Sequence, residues 1–378
     1  MKKFLTVVLC LILFCGCTGP DNTPGSADNI KTIDLSRHVT DIFKGAGGER
    51  VTVLYFNDLF VYYALSEAAD ESLSHWRVYR YAFDADKHEE LMGVPDVYLS
   101  SGDGAAVGED FYYPLVCADE SPGGFGDYIL KAGPGGAFCV RVGDSAGHLF
   151  SLESLNEKLY RQRRRGTDVS SYYVDDMQLL SARPVNILKL RCENGAGRIL
   201  SGFCAAAGVF YGYVVDFDLD QKTLLIFDEN GGIRDSLNLD IDAFLNMGEA
   251  GEQDAVSSIC AAGDAVILST AAGRSLVLAL RDDTLEEIPA PAALGQLSGH
   301  DVLGDPHGAS DTVFFRFFSG NKLIRFDAVD ESFTEFAFTG FSGDLEFLCR
   351  DERGNILLRS AAQGGDTYYL LPADALTS

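Results

Sequence analysis

The sequence predicts an all-β chain folded as a β-propeller of about seven four-stranded blades, with six or eight blades left open. Three observations lead there. From Val51 onward, short runs rich in Val, Ile, Leu, Phe and Tyr alternate with Gly, Asp and Asn turns, and few segments carry a helical period. Strands that open a unit begin near Val51, Val97, His148, Ile199, Ser257, Asp301 and Glu346, at spacings of 46, 51, 51, 58, 44 and 45 residues. A period of that size built only from strands matches one propeller blade. Finally, hydrophobic residues make up 47% of the 378, enough to fill the spaces between packed sheets, while 40 Gly supply turns. A lone sheet cannot cover both of its faces, whereas a ring of sheets packs each against the next.

The first element is not part of that ring. Met1-Lys2-Lys3 is followed by an apolar run from Phe4 to Phe14 and then by Cys15-Gly16-Cys17. A basic start, a short apolar run and a small residue before the cleavage point describe a secretory signal peptide over 1–16. The apolar run falls well short of the roughly 20 residues that span a bilayer. The ending Leu13-Phe14-Cys15-Gly16-Cys17 resembles the bacterial lipobox, in which the Cys after a small residue becomes lipidated. Phe14 stands where that pattern usually has Leu. The resemblance implies lipidation at Cys17 and a bacterial lipoprotein of the cell envelope, held to the cell membrane and facing the periplasm or the cell exterior. Residues 17–29, which include TGPDNTPGSADN, are rich in Pro, Gly, Asp, Asn and Ser and read as a flexible tether.

The propeller domain is predicted over 30–378. Ile30-Lys31-Thr32-Ile33-Asp34-Leu35 is a strand that precedes the first full unit. The last unit offers three strands, Leu345 to Cys349, Asn355 to Ser360 and Thr367 to Leu371. The early strand is therefore predicted to be the fourth strand of the last blade, which pairs the two chain ends. Within the units an apolar strand ending in an Asp-bearing turn recurs at Val78 to Asp86, Tyr213 to Asp220, Leu276 to Asp283 and Leu323 to Val329. One segment breaks the pattern. In Ser151 to Gly166 (SLESLNEKLYRQRRRG), a Ser cap, the spacing of Leu152, Leu155 and Leu159, and Gly166 as a stop predict a small helical insertion over 151–166. Its tail holds Arg161, Arg163, Arg164 and Arg165, a basic cluster in an acidic chain. Such a tail is either a solvated helix end or a docking point for an anionic partner.

Composition excludes whole classes of partner. The chain carries 30 Lys and Arg against 56 Asp and Glu, a formal net charge of −26. Removal of the signal takes Lys2 and Lys3 and no acid, so the exported chain is more acidic still. Phosphate backbones need a basic footprint, so DNA and RNA are excluded. Of 9 cysteines, Cys10 and Cys15 leave with the signal and Cys17 takes the lipid. Cys117, Cys139, Cys192, Cys204, Cys260 and Cys349 remain, scattered in apolar stretches without a C-x-x-C pair. They read as buried free thiols on strands, with disulfide pairing in an exported chain as the alternative, and not as a zinc site.

Several motifs could carry chemistry. Gly143-Asp144-Ser145-Ala146-Gly147 follows an apolar strand and resembles the G-x-S-x-G elbow of α/β-hydrolase esterases, which would make Ser145 a nucleophile. The strand-after-strand text beyond Gly195 does not supply the alternating helices that family needs, so an interblade turn is the reading preferred here. Asp216-x-Asp218-x-Asp220 resembles the start of a calcium loop, but Gln221 and Phe227 stand where Gly and Glu are required. Turn capping by Asp side chains explains it better. His300 and His307, with Asp301 and Asp305, fall in a Gly- and Pro-bearing loop and are read as loop residues, not metal ligands. No cofactor or metal is predicted. Paired aromatics at Tyr112-Tyr113, Tyr172-Tyr173 and Tyr368-Tyr369, and the run Phe314-Phe315-Arg316-Phe317-Phe318, read chiefly as blade packing. Exposed members can line a sugar- or peptide-binding face.

The function these readings predict is that of a lipid-anchored binding or scaffold protein for a protein, peptide or glycan ligand. The membrane is met through the lipid alone. The alternatives are a propeller hydrolase or lyase acting on glycans and, more weakly, a serine hydrolase acting through Ser145. The anchor is directly testable. Cys17→Ser is expected to move the chain from the membrane pellet to the soluble fraction on ultracentrifugation, and retention in the pellet overturns the lipobox reading.

Overall fold

Strands with apolar residues on both faces demand cover on both sides, and the chain meets that demand by repeating one unit around an axis. The structure, a computed structural model, describes residues 30–43, 50–68, 73–100, 104–120, 124–144, 151–165, 169–180, 184–193, 195–245, 255–270, 272–281, 284–295, 300–305, 307–308, 310–317, 321–362 and 365–377. The signal peptide, Cys17, the tether and Ser145 lie outside these residues. No helix among the described residues is long and apolar enough to cross a membrane.

The chain begins with β1 (Ile30–Asp34) and β2 (Val39–Thr40). Blade one is β3 (Arg50–Phe56), β4 (Phe60–Ala68), β5 (Ser74–Ala82) and β6 (Lys87–Ser100). Blade two holds β7 (Ala105–Val107), β8 (Asp110–Ala118), β9 (Phe125–Gly133) and β10 (Gly136–Asp144). Blade three is β11 (Ser151–Leu155), β12 (Lys158–Arg165), β13 (Val169–Asp176) and β14 (Val185–Glu193). Blade four is β15 (Ala196–Ala206), β16 (Val209–Asp216), β17 (Gln221–Phe227) and β18 (Ile233–Asn238). Blade five is β19 (Val256–Ala262), β20 (Ala265–Thr270), β21 (Ser275–Arg281) and β22 (Thr284–Glu287). Blade six is β23 (His300–Leu303), β24 (Thr312–Phe317), β25 (Lys322–Asp327) and β26 (Ser332–Thr339). Blade seven is β27 (Asp344–Arg350), β28 (Ile356–Ala362) and β29 (Gly365–Leu371). Within each blade neighbouring strands are antiparallel, and successive strands step outward from the axis. The described strands thus make the seven-bladed propeller that the spacing predicts.

Burial reports the same architecture. The core is seven separate clusters, and each lies between two neighbouring blades. Tyr62, Val78, Leu115 and Leu130 fill the space between blades one and two. Val266, Leu268, Leu224 and Tyr213 fill that between blades four and five. The last space, between blades seven and one, is filled by Leu357, Tyr368, Val61 and Phe43. Strand β6 also ties two blades by backbone. It pairs with β5 from Lys87 to Val97, passing Asp96 at φ 57°, and from Val97 to Ser100 it also pairs with β8 of blade two.

Ring closure differs from the sequence prediction in one respect. Ile30–Asp34 does not join blade seven. It pairs in parallel with β26 and forms a fifth, outermost strand of blade six. The fourth strand of blade seven is β2, through Val39 with Tyr369 and Thr40 with Tyr368. The reason lies at Asp34, whose side chain accepts from the Ser36 N–H at 3.1 Å and turns the chain through a short 3-10 segment, Leu35–Arg37. Ile33 and Leu35 are thereby delivered to the cluster between blades six and seven.

The helical insertion over 151–166 is also corrected. That segment is the β11–β12 hairpin, joined by Asn156 and Glu157 at φ 49° and 59°. Two consecutive left-handed residues make the two-residue turn that matches strand twist. The leucine spacing misled because a tight turn carries i and i+4 residues across two strands. Leu152 and Leu159 face blade two, whereas Leu155 faces blade four.

Leu35 offers a test of how the chain ends are held. It is fully buried, so Leu35→Ala is expected to cost about 2–5 kcal/mol in equilibrium urea unfolding. The half-exposed Ile30→Ala is expected to cost less than about 0.5 kcal/mol. Equal effects at the two positions overturn this account of closure.

Candidate functional site

The innermost strand of each blade has one edge toward the axis, and together these edges enclose a cavity of about 710 Å³. Every blade contributes to its wall, through Tyr55, Ala105, Leu152, Leu200, Ile259, Leu303 and Leu348. Small residues recur between them, among them Gly202, Ser201, Ser257 and Ser258, because seven strands crowd one axis. Four inner strands carry a bulge. Leu54, Ser201, Ser257 and Leu348 are skipped in the pairing with the next strand, and all four line the cavity. Bulges add local twist, which turns these inner strands relative to the rest of their blades.

One end of the cavity is closed by the connection between β23 and β24. Where blades two, four and five join their first two strands with two-residue turns, blade six has a longer connection, described at residues 304, 305, 307, 308, 310 and 311. The connection reaches across the axis. A Cβ on Gly308, which sits at φ 64°, would lie 2.9 Å from the Ala205 carbonyl oxygen of blade four and 3.3 Å from that of Ser154 in blade three. Only glycine allows that approach. His307 Nε2 stands 3.2 Å from the Tyr55 hydroxyl of blade one and 3.3 Å from Glu352 Oε2 of blade seven. Asp305 Oδ1 accepts the His307 N–H at 3.0 Å. The far foot of the connection is fixed by Arg350, 3% exposed, which donates Nη1 to the Thr312 carbonyl at 2.6 Å and Nη2 to Ser310 Oγ at 3.3 Å. These residues form a floor.

The opposite end is a mouth lined by Gln162, Arg163, Arg164 and Tyr172 of blade three. They lie at the end of the β12–β13 hairpin remote from the Asn156-Glu157 turn, hence away from the floor. Gln162 Nε2 donates to the Leu200 carbonyl at 2.8 Å, which joins blades three and four beneath the rim. Arg163 lies 4.1 Å from the centroid of the Tyr173 ring, and Lys189 Nζ lies 5.4 Å from the same centroid. A side-chain hydrogen bond from Ser171, then the Lys189 and Arg163 charges, hold the Tyr173 phenol below its ordinary pKa. Arg164 gives Nε and Nη2 to Ser170 Oγ, at 3.2 and 3.0 Å, and lies over Tyr172. Beneath them Arg161 is 3% exposed, 3.6 Å from Asp175 and 3.7 Å from Asp127 of blade two. Burial pushes its pKa down, while both carboxylates favour its charge. Asp175 also accepts Arg163 Nε at 2.5 Å.

The other sequence candidates fall as follows. Asp216 Oδ1 accepts the N–H groups of Asp218 and Leu219 at 3.0 and 3.1 Å, and Asp218 accepts that of Gly197, so the Asp-rich segment is a capped turn. No cluster of three metal-ligating side chains occurs among the described residues. His307 belongs to the floor; the side chains of His300 and Asp301 lie outside the described set. Tyr112, Tyr113, Phe314, Phe315, Tyr368 and Tyr369 are buried between blades, whereas Tyr172 lines the mouth and Tyr173 lies half-buried on the opposite face of blade three. The sequence named the arginines and the His307 loop, and missed that both meet one cavity. It also missed Glu153, which lines the wall and accepts the Ala205 N–H at 3.3 Å.

Comparison with known proteins agrees with this architecture. No family model matches the chain, and no curated protein is detectably similar to it. Solved structures do match. The β-propeller domain of the trilobed protease from Pyrococcus furiosus, described as having an open velcro topology, aligns with a TM-score of 0.51 at 9% identity, over 85% of this chain and 95% of that domain. The fold is a β-propeller. An acylaminoacyl peptidase bound to a chloromethyl ketone gives a TM-score of 0.51 at 12% identity, over 89% of this chain and 52% of the peptidase. The acylaminoacyl peptidase of Pyrococcus horikoshii gives 0.50 at 11%, over 87% and 52%. This propeller therefore spans about half the length of those two enzymes.

Cys204, Cys260 and Cys349 are among the residues that line the cavity, and none of the six body cysteines forms a disulfide. Burial pushes the thiols of Cys117 and Cys349 up to about 12 and that of Cys139 up to about 11, and raises Cys204 as well. At pH 8 about one in a thousand or fewer of the Cys117, Cys139 and Cys349 thiols is then ionised. Ellman's reagent is expected to leave these four unmodified in the native protein and to modify all six in urea. Rapid modification of native Cys349, located by peptide mass, overturns this.

Proposed function

We propose that this chain is an extracytoplasmic, lipid-anchored propeller whose body binds a ligand in its axial cavity. One observation carries the reading: all seven blades converge on a cavity of about 710 Å³ that is floored at one end and open at the other. Small-molecule and peptide sites commonly occupy about 300–1,000 Å³, with apolar walls and a few convergent polar groups. Leu152, Leu200, Ile259 and Leu348 supply such walls, and Glu153, Gln162 and Arg164 supply such groups. A lipid on Cys17 and a tether over 17–29 would hold this body near a membrane surface and leave the cavity free to fill. The likeness to peptidase propellers supports the fold and carries no activity over to this chain.

Two measurements test the proposal on a soluble form that starts after the signal. Short peptides and oligosaccharides are screened for a rise in Tm, with Ser201→Trp as the control that fills the cavity. A hit lost in Ser201→Trp is expected; hits indifferent to that change move the ligand elsewhere. A fluorophosphonate probe is expected to leave the chain unmodified, and modification abolished by Ser145→Ala would replace binding with serine-hydrolase chemistry.

A further inference from the structure

The wall of the cavity differs from one side of the axis to the other. Each bulged inner strand skips one residue. That residue is serine in blades four and five, Ser201 and Ser257, but leucine in blades seven and one, Leu348 and Leu54. In a closed ring of seven blades these two adjacent pairs stand across the axis from one another. The accessible lining follows the same division. Ser201, Ser257 and Ser258 are exposed, and beside them blade three adds Glu153, Gln162 and Tyr172, each half-buried. Leu152, Leu200 and Ile259 are buried in interblade clusters, so this side is largely polar, with Ile199 and Ala261 as its accessible apolar residues. On the other side Val302, Leu303, Leu348 and Val53 line the wall half-buried, and none has a hydrogen-bonding side chain. The polar groups of that side belong to the floor. Tyr55 meets His307, Asp305 accepts the His307 N–H, and Arg350 donates to the Thr312 carbonyl.

Resting on the cavity reading above, the geometry points to one class of ligand, a short saccharide. A pyranose carries hydroxyls around its rim and bare C–H groups on its faces, which suits a wall polar on one side and apolar on the other. Each sugar hydroxyl both donates and accepts, and so does a serine hydroxyl. A residue skipped at a bulge stands outside the strand ladder, so Ser201 and Ser257 offer backbone groups alongside their side chains. Ser257 Oγ donates to the Ser269 carbonyl at 3.2 Å, which orients it, and its oxygen can still accept. Gln162 is held through Nε2 on the Leu200 carbonyl, which leaves Oε1 as an acceptor. At the rim the Tyr172 ring supplies a flat surface for the C–H face of a sugar. An extended peptide suits this wall less well. Its amides point alternately to both sides, and those turned toward Leu348, Val302 and Val53 would give up water for no side-chain partner.

Calorimetric titration of the soluble chain with maltose, cellobiose, lactose and N,N′-diacetylchitobiose tests this. At least one of these neutral disaccharides is expected to bind. Ser201→Ala is expected to weaken it about three- to tenfold, the loss of one hydrogen bond, and Ser258→Ala to do the same should Ser201→Ala alter the circular dichroism. Val302→Thr places a hydroxyl on the apolar side with little change of shape, and is expected to weaken the sugar as well. N-phenyl-1-naphthylamine, an apolar fluorescent probe without a sugar, reads the cavity by itself. Probe and disaccharide are both expected to be lost in Ser201→Trp. Probe binding with no disaccharide bound, or with a disaccharide affinity that ignores Ser201→Ala, Ser258→Ala and Ser201→Trp, overturns the saccharide inference and leaves the cavity reading standing. Tighter binding of N-acetyl-trialanine amide than of every disaccharide overturns it too, in favour of a peptide. Failure of the probe and of all these ligands to bind the wild-type chain overturns the cavity reading itself.

Discussion

Burial of both faces of every sheet is the constraint from which the rest of this structure follows. A four-stranded blade with apolar residues above and below is stable only between two neighbours, so the interblade clusters hold the molecule together, not the hydrogen-bond ladders alone. Seven such clusters need seven interfaces, and seven interfaces need a closed ring. Closure falls to the chain ends. β2 completes blade seven, and Ile42 and Phe43, directly after it, pack with Leu357 and Tyr368 against blade one. The N-terminal segment thus stitches three blades, since β1 lies on blade six. Opening the ring would expose the cluster on either side of blade seven at once.

One interface departs from the rule, and the departure bears on function. Between blades two and three the cluster is the smallest, built from Ala105, Tyr112, Ile129, Leu152, Leu159 and Met177. The space next to it is taken by Arg161 with Asp127 and Asp175, all under a tenth exposed. Buried charges of this kind add little net stability, because desolvation offsets their attraction. Their effect is positional. Arg161 fills the gap with a rigid fork, its two acids fix β12 against β9 and β13, and Asp175 reaches on to Arg163 at the rim. Arg163 at the mouth is thus held through the interface with the smallest apolar cluster.

The blade period was legible in the sequence because it is written by turns as well as by strands. Unit openings read near Val51, Ile199, Ser257, Asp301 and Glu346 fall within a few residues of β3, β15, β19, β23 and β27. What stayed illegible is long-range. Nothing local distinguishes Ile30–Asp34 from Val39–Thr40 as the closing strand, since their partners lie some three hundred residues away. The 151–166 hairpin read as a helix because its leucines fall at helical spacing, and only the positive φ of Asn156 and Glu157 reveals a turn. The site suffered the same loss. Arg163, Arg164 and His307 were each visible as odd residues, yet their shared cavity depends on which strand edges face the axis, a property of the assembled ring.

The floor shows how a repeated fold acquires a single functional direction. Seven inner strands leave an axial gap open at both ends, and symmetry alone would make the two mouths equivalent in access. Breaking that equivalence takes one long connection in one blade. The link from β23 to β24 supplies it, and the contacts that hold its described residues are spread over blades one, three, four and seven. Because the floor is pinned from several sides, it cannot follow the motion of any single blade, and access to the cavity is left to the rim. That rim carries Arg163 and Arg164, while the wall carries Glu153 and the floor both Asp305 and Arg350. Whatever enters passes Gln162, Arg163 and Arg164 of blade three, so one blade decides which side chains the rim presents.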